Sequence, residues 1–393
     1  MEKNFWRNPM SVFPRYDDKS ILNLMAGIQN SLGEESEYPP LPLSFDPKRY
    51  KHVLLVVIDG LGDLFLQQHG QGSFLLNHRQ EALSSVFLST TASAMTTFYT
   101  AAPPLRHALT GWFVYLREIG AVTTILQLTT RSPRTLLTDH GIPAETVLDL
   151  PHFFTTLHRK AVGIFPRHIV DSPFSVYACT GAQTYGYSTL PEFTRSIHTR
   201  ITESTDPNYV FAYWPAFDKS CHVHGVHHWR TVNHFKRLDN AMRELSASLA
   251  GTDTLLMITA DHGLIDVPPE NVHWLQDYPE LEDTLVLPLS GEPRMPNCYV
   301  KCGMEGIFLS EVQRIFGEKS QVYDRERLLR EGWYGRGVMN PQLPDRIGDF
   351  VIMFDDARVL RDVLPGEKRF DFVGYHGSTT EEEMWVPLIA LEC

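Results

Sequence analysis

The chain has 393 residues, 43% hydrophobic and 21% charged, the composition of a globular protein that can bury a large core as one elaborated domain or two. A formal net charge of -12 argues against wrapping around polymeric nucleic acid, and carboxylates converging on cations would offset part of that charge. Five scattered cysteines exclude a dense disulfide framework, no stretch approaches a membrane span, and the opening MEKNFWRNPM lacks an apolar signal core; the expectation is a cytoplasmic protein with no membrane insertion.

In chain order, residues 1–50 form a loosely patterned arm with a short helix over Ser20–Ile28 and a proline-rich approach over Tyr38–Pro47. KHVLLVVIDGLG follows. Val53–Ile58 is a continuous apolar, β-branched run, which predicts a strand buried on both faces, and Asp59 breaks it. Asp-Gly is a common turn pair, but a carboxylate at the C-terminal end of a buried strand also stands where open α/β sheets place ligands. A helix is expected over Gly62–Asn77, weakened at Gly70 and Gly72, then a short strand over Ala82–Phe87. Thr90 and Thr91 precede a small-residue helix, Ala92–Thr100. Their hydroxyls can cap its first amides, or face a phosphoryl group backed by those amides.

Strands are expected at Ala121–Leu128 and Ala161–Phe165. Arg167 reads as a surface residue, and Phe174, Tyr177, Tyr185 and Tyr187 as packing residues rather than a substrate wall. Tyr209–Trp214 is the next strand; it runs into PAFDKSCHVHG, with Asp218 and His222 four apart, and a helix over Thr231–Leu249 follows. His224, His227 and His228 lie outside that spacing. Thr254–Thr259 repeats the first pattern, an apolar strand ending in Asp261 and His262. Residues 264–370 are less regular and read as an embedded cap or lobe within a single catalytic domain, 1–393. Strands are expected there at Leu285–Leu289, Cys298–Lys301, Met304–Phe308 and Asp349–Phe354, with partial helix over Lys319–Leu328. Asp355, Asp356 and Glu367 read as surface acids. His376 comes last, just before an apolar closing element over Met384–Leu391.

Asp59, Asp218, His222, Asp261, His262 and His376 supply three carboxylates and three imidazoles. That donor set suits two divalent ions of intermediate hardness, with Zn2+ the leading candidate. Two such ions would activate a hydroxyl and stabilise charge on a transferring phosphoryl group.

The same segments resemble the alkaline phosphatase superfamily, and within it the nucleotide pyrophosphatase/phosphodiesterase family. VVIDGLG is similar to the first metal motif. STTASAMTTFYTAAPPLRHALTG is similar to the nucleophile segment, although Ala101 and Ala108 stand where the family often has glycine. PAFDKSCHVHG, TADHG and GYHGSTTEEEMWVPLI resemble the remaining metal motifs. The resemblance implies an α/β three-layer sandwich with a mostly parallel central sheet. It implies Thr91 as nucleophile and metal neighbour, one metal on Asp218, His222 and His376, and the other on Asp59, Asp261 and His262. The implied activity is two-metal hydrolysis of a small phosphodiester or nucleotide through a phospho-threonine intermediate. A phosphomonoesterase or phosphonate hydrolase with the same two-zinc core is the alternative. The equatorial asparagine of the family has no match in Asn77 or Asn233, and oligomeric state is left open.

Overall fold

The computed structural model describes residues 11–370 and 372–393, so the expectation for the first ten residues lies outside the described chain. A seven-stranded sheet forms its centre, in the spatial order Arg79–Ser84, Trp385–Glu392, Thr254–Thr259, His52–Ile58, Asn208–Trp214, Lys160–Pro166 and Ala182–Tyr187. The last five are mutually parallel, whereas Trp385–Glu392 runs antiparallel to both its neighbours. Every residue of the strands at 52–58, 208–214 and 254–259 is buried. Burial without alternation means that both faces are covered, the mark of the central parallel strands of a three-layer α/β sandwich.

Register brings the sequence motifs together. Ile58 pairs with Trp214 and Val57 with Thr259, so three adjacent strands leave the sheet along one edge. Asp59, the helix Ala216–His224 and Asp261 follow directly from those three ends. The closing strand Trp385–Glu392 runs the opposite way, which places the His376 segment before it on the same edge.

A second, antiparallel seven-stranded sheet has the order Ser320–Asp324, Phe350–Phe354, Met295–Cys298, Ser290–Glu292, Phe113–Leu116, Ala121–Thr124 and Thr129–Thr130. It therefore joins strands from the 113–130 region to strands from the 290–354 region. No helix among the described residues is long and apolar enough to cross a membrane, and the five cysteines form no disulfide.

Several local expectations change. The helix expected over 62–77 is two pieces, Asp63–His69 and Phe74–Asn77, interrupted at Gly70–Ser73. Buried Asp239 accepts hydrogen bonds from the Phe74 and Leu75 amides and so caps the second piece. The strand expected at 82–87 lies at Arg79–Ser84, and the one at 121–128 ends at Thr124 in a 3-10 turn. Met304–Phe308 is not a strand. It opens the helix Glu305–Phe316, whose buried Phe308, Val312 and Phe316 recur every four residues, a period too long to read in a five-residue window. Leu285–Leu289 makes only an isolated bridge at Leu285, the strand expected over 298–301 lies at Met295–Cys298, and the 319–328 segment begins as the strand Ser320–Asp324. Glu367 is not a free surface acid, since it holds Arg131 at 2.9 Å.

Candidate metal centre and active site

The three acids and three histidines converge in two groups: Asp59, Asp261 and His262, and Asp218, His222 and His376. Within each group one ligand atom per residue lies within 4.8 Å of the others. The rings of His262 and His376 stack at 3.8 Å, which makes the groups neighbours. Asp218 and His222 share one face of the helix Ala216–His224 because they are four apart. Gly60 allows the Asp59 loop to approach that helix. Its φ is +77°, and a Cβ there would lie 3.0 Å from the Asp218 Cβ.

All three histidines are oriented alike. Nδ1 faces a main-chain carbonyl in each: Gly374 at 2.7 Å for His222, Gly263 at 3.0 Å for His262 and Ser89 at 3.3 Å for His376. A proton on Nδ1 donated to the carbonyl leaves Nε2 with its lone pair directed into the site, the arrangement that orients a metal-binding imidazole. Carboxylate oxygens stand opposite those lone pairs. His222 Nε2 is 3.3 Å from Asp218 Oδ1, and His262 Nε2 is 3.4 Å from both Asp59 Oδ1 and Asp261 Oδ2. These same three oxygens are buried and have no hydrogen-bond partner among the described residues. Lone pair against carboxylate in a buried site is repulsive unless a cation lies between them. The donor set therefore fits two divalent ions.

Protonation behaviour points the same way. Burial first, then the neighbouring Asp261 and Asp218 carboxylates, push the Asp59 carboxyl well above its ordinary range. Burial also raises Asp261. His376 is held well below its usual value by burial and by the adjacent His262 and His222 rings. Bound cations relieve all three costs by favouring ionised carboxylates and neutral imidazoles. The Tyr213 hydroxyl, on the neighbouring strand, donates to Asp59 Oδ2 and fixes which oxygen faces the site.

The two threonines have different partners. Thr91 begins the helix Thr91–Thr100, and its half-buried Oγ1 lies 3.2 Å from His262 Nε2. Thr90 is the N-cap residue, yet its side chain makes no capping bond; its Oγ1 instead donates to Glu292 Oε1 at 2.5 Å. The capping expectation for both hydroxyls is thus replaced, and the first helix amides have no side-chain cap. Glu292, which also accepts from the Trp112 amide at 2.8 Å, is a site residue that sequence reasoning missed. Its burial raises its carboxyl to about 7. The sequence held no signal for it, because its pairing with Thr90 spans 202 positions.

Thr91, Asp218, His222, His376 and Glu292 line one cleft of about 850 Å³. Phe372 packs on the His222 ring at 4.6 Å and forms its aromatic wall. The aromatic residues weighed earlier do not: Phe174 and Tyr187 are core residues. Arg167 is exposed, bonds to Ser188 and Gly186, and does not line the cleft. His224, His227 and His228 stay out of both ligand groups, with His227 paired to His69 at 2.9 Å, and Cys221 is core.

A family model for type I phosphodiesterase / nucleotide pyrophosphatase matches residues 53–378, from the first buried strand to just past His376. The chain belongs to this family. Members of it are hydrolases of phosphoryl compounds, and this chain is one of them. Among solved structures, murine ectonucleotide pyrophosphatase / phosphodiesterase 5 (ENPP5, NPP5) is similar with a TM-score of 0.64 and 16% identity, over 86% of this chain and 87% of that one. An inactive variant of the same murine protein in complex with AMP gives 0.63 and 17%, with the same coverage. Phosphonoacetate hydrolase from Sinorhizobium meliloti 1021 in complex with phosphonoformate gives 0.63 and 14%, over 87% and 90%. At these identities the likeness is one of fold. No curated protein sequence matches the chain.

The two departures from the family pattern have a backbone meaning. Ala101 and Ala108 adopt φ of 50° and 57°, in the left-handed region that favours glycine. Each of these turns carries a Cβ in that region at a conformational cost. His107, between them, is fully buried; it accepts the Leu109 amide at 3.1 Å and lies 3.3 Å from Thr97 Oγ1, so it braces the loop.

Proposed function

We propose that the protein is a phosphodiesterase or nucleotide pyrophosphatase that uses Thr91 as nucleophile and passes through a phospho-threonine intermediate. The observation that carries this reading is the position of Thr91 Oγ1, at the open start of a helix and 3.2 Å from His262 Nε2, in a cleft that also contains the second ligand group. Asp59, Asp261 and His262 would hold one divalent ion, and Asp218, His222 and His376 the other, with zinc favoured by the mixed imidazole and carboxylate donors. Bound there, the ions would supply Lewis acidity for the nucleophile and for the leaving oxygen.

The chain's own residues do the rest. The helix at Thr91–Thr100 aims its uncapped amides at the phosphoryl oxygens, where its dipole favours negative charge. Thr91 Oγ1 attacks phosphorus and the ester or anhydride oxygen leaves on the opposite side; water then releases the phosphoryl group from Thr91. The carbonyls of Gly374, Gly263 and Ser89 hold the three imidazoles in one tautomer through turnover. Residues 264–370 act as a cap over the site, which the cleft-lining Glu292 supports.

An inactive variant of the murine neighbour was captured with AMP, which supports a nucleotide-containing substrate. The phosphonoacetate hydrolase neighbour favours a second reading, hydrolysis of a carbon–phosphorus bond. Kinetics of the zinc-loaded protein on a diester, a monoester and a phosphonate decide between them. Higher kcat/KM on the diester is expected, and equal or higher efficiency on either of the others overturns the assignment. The free cysteines support action in the cytoplasm.

A further inference from the structure

The cleft extends past the metal ligands along a wall that includes Arg361, Lys368, Phe370, Phe372 and Tyr375. Phe372, tilted against the His222 ring, lies 5.8 Å from the Arg361 guanidinium. Arg361 also lies 4.3 Å from the Phe370 ring and 4.8 Å from Trp274. Its Nη1 donates to the Phe370 carbonyl at 2.7 Å and to the Tyr375 hydroxyl at 3.1 Å. The guanidinium is therefore held by rings and neutral oxygens, with the Glu367 carboxylate within electrostatic reach but not ion-paired to it. Among the described residues no carboxylate forms an ion pair with it, and the same holds for Lys368 and Arg134, two exposed cations lining the same cleft. Among the described residues Arg134 bonds only to the neutral Gln127 amide.

Two described acids of the cleft are already committed. Asp362 and Glu367 pair with buried Arg131 at 2.7 and 2.9 Å, and Asp362 also accepts the Leu289 amide. Those pairs, with the Ser132 hydroxyl on the Pro365 carbonyl at 2.8 Å, tie the 131–134 loop to the 362–367 loop, in the cleft that Arg134 and Lys368 both line. In a chain with 35 lysines and arginines against 47 acids, three cleft-lining cations with no ion-paired carboxylate among the described residues run against the overall balance. An anion supplies the missing charge.

We propose that Arg361, Lys368 and Arg134 form a second anion-binding subsite, and that the substrate carries a phosphate or carboxylate group in addition to its scissile phosphoryl group. This rests on the hydrolase reading above. The scissile group binds at Thr91, a planar or apolar spacer lies on Phe372, and the second anion reaches Arg361.

The test compares two esters differing only in distal charge, para-carboxyphenyl para-nitrophenyl phosphate and its para-carbamoylphenyl analogue, on the zinc-loaded full chain. The expected result is kcat/KM about tenfold higher for the carboxylate, the size of one charge-assisted hydrogen bond. Lys368→Gln and Arg361→Gln should each bring that ratio towards one with little change on the carbamoyl ester, a pattern that misfolding cannot produce. A para-phosphonophenyl ester ranks phosphate-like against carboxylate groups. A wild-type ratio near one, or an equal loss on both esters in Lys368→Gln, overturns the subsite. If neither ester is hydrolysed, the hydrolase reading fails separately. The subsite is then decided by calorimetry with para-carboxyphenyl phosphate and para-carbamoylphenyl phosphate: equal affinities overturn it, and a carboxylate preference lost in Lys368→Gln upholds it.

Discussion

Thr90→Ala and Thr91→Ala should separate stability from catalysis. Thr91 Oγ1 is half-buried and makes one hydrogen bond among the described residues, 3.2 Å from His262 Nε2, so its removal costs about 0.5–1.5 kcal/mol. Thr90 Oγ1 is fully buried and donates to the Glu292 carboxylate, which keeps only the Trp112 amide afterwards; that loss costs about 1–3 kcal/mol. Neither side chain caps the helix, so no capping loss is added. For a chain of this size each kcal/mol lowers Tm by about 1 °C. Turnover should rank the other way. Thr91→Ala removes the attacking oxygen and should lower kcat by about 10⁴-fold or more. Thr90→Ala should lower it by no more than about tenfold, a barrier change of ~1.4 kcal/mol. Melting curves, zinc content and single-turnover kinetics on one diester are measured together, with rapid-quench peptide mapping of the labelled phosphoryl group. Thr90→Ala losing as much activity as Thr91→Ala while zinc-loaded, or label mapping to Thr90, would refute the assignment.

Three further outcomes are expected. Glu383→Gln should destabilise by about 3–5 kcal/mol, seen in chemical denaturation, because it leaves fully buried Arg294 without the carboxylate it holds at 3.0 Å. Gly60→Ala should cost ~1–2 kcal/mol for a Cβ at positive φ, and should lower zinc stoichiometry by metal analysis, since that Cβ presses on Asp218. Chelation should destabilise the protein increasingly as pH rises. Raised carboxyls at Asp59 and Asp261 hold protons in the folded chain that the unfolded chain has lost, so metal-free stability falls with pH above the ordinary carboxyl range; the depressed His376 opposes this only up to about pH 6.5. The Tm gap between loaded and stripped protein should therefore widen as pH rises from the ordinary carboxyl range, and a gap that never widens would contradict buried carboxylates awaiting cations.

The sequence by itself determined the central strands, because a run such as Val53–Ile58 leaves no polar face to solvent and must lie inside a covered sheet. It also determined the Asp218–His222 pair, since a four-residue step sets both on one helical face. Local periodicity was less informative around Met304–Phe308, where five apolar-leaning residues suited a strand and the longer period belonged to a helix. What the tertiary structure decided is everything that joins distant segments. The strand order set three acidic strand ends side by side, and the reversed closing strand brought His376 to the same edge. Packing also gave the two hydroxyls different partners: Thr91 met His262 across 171 positions and Thr90 met Glu292 across 202. Arg361 met the Trp274 ring in the same way, at 4.8 Å across 87 positions. Such contacts depend on where the sheet and the 264–370 segment place their side chains in space, and no residue spacing along the chain encodes that distance.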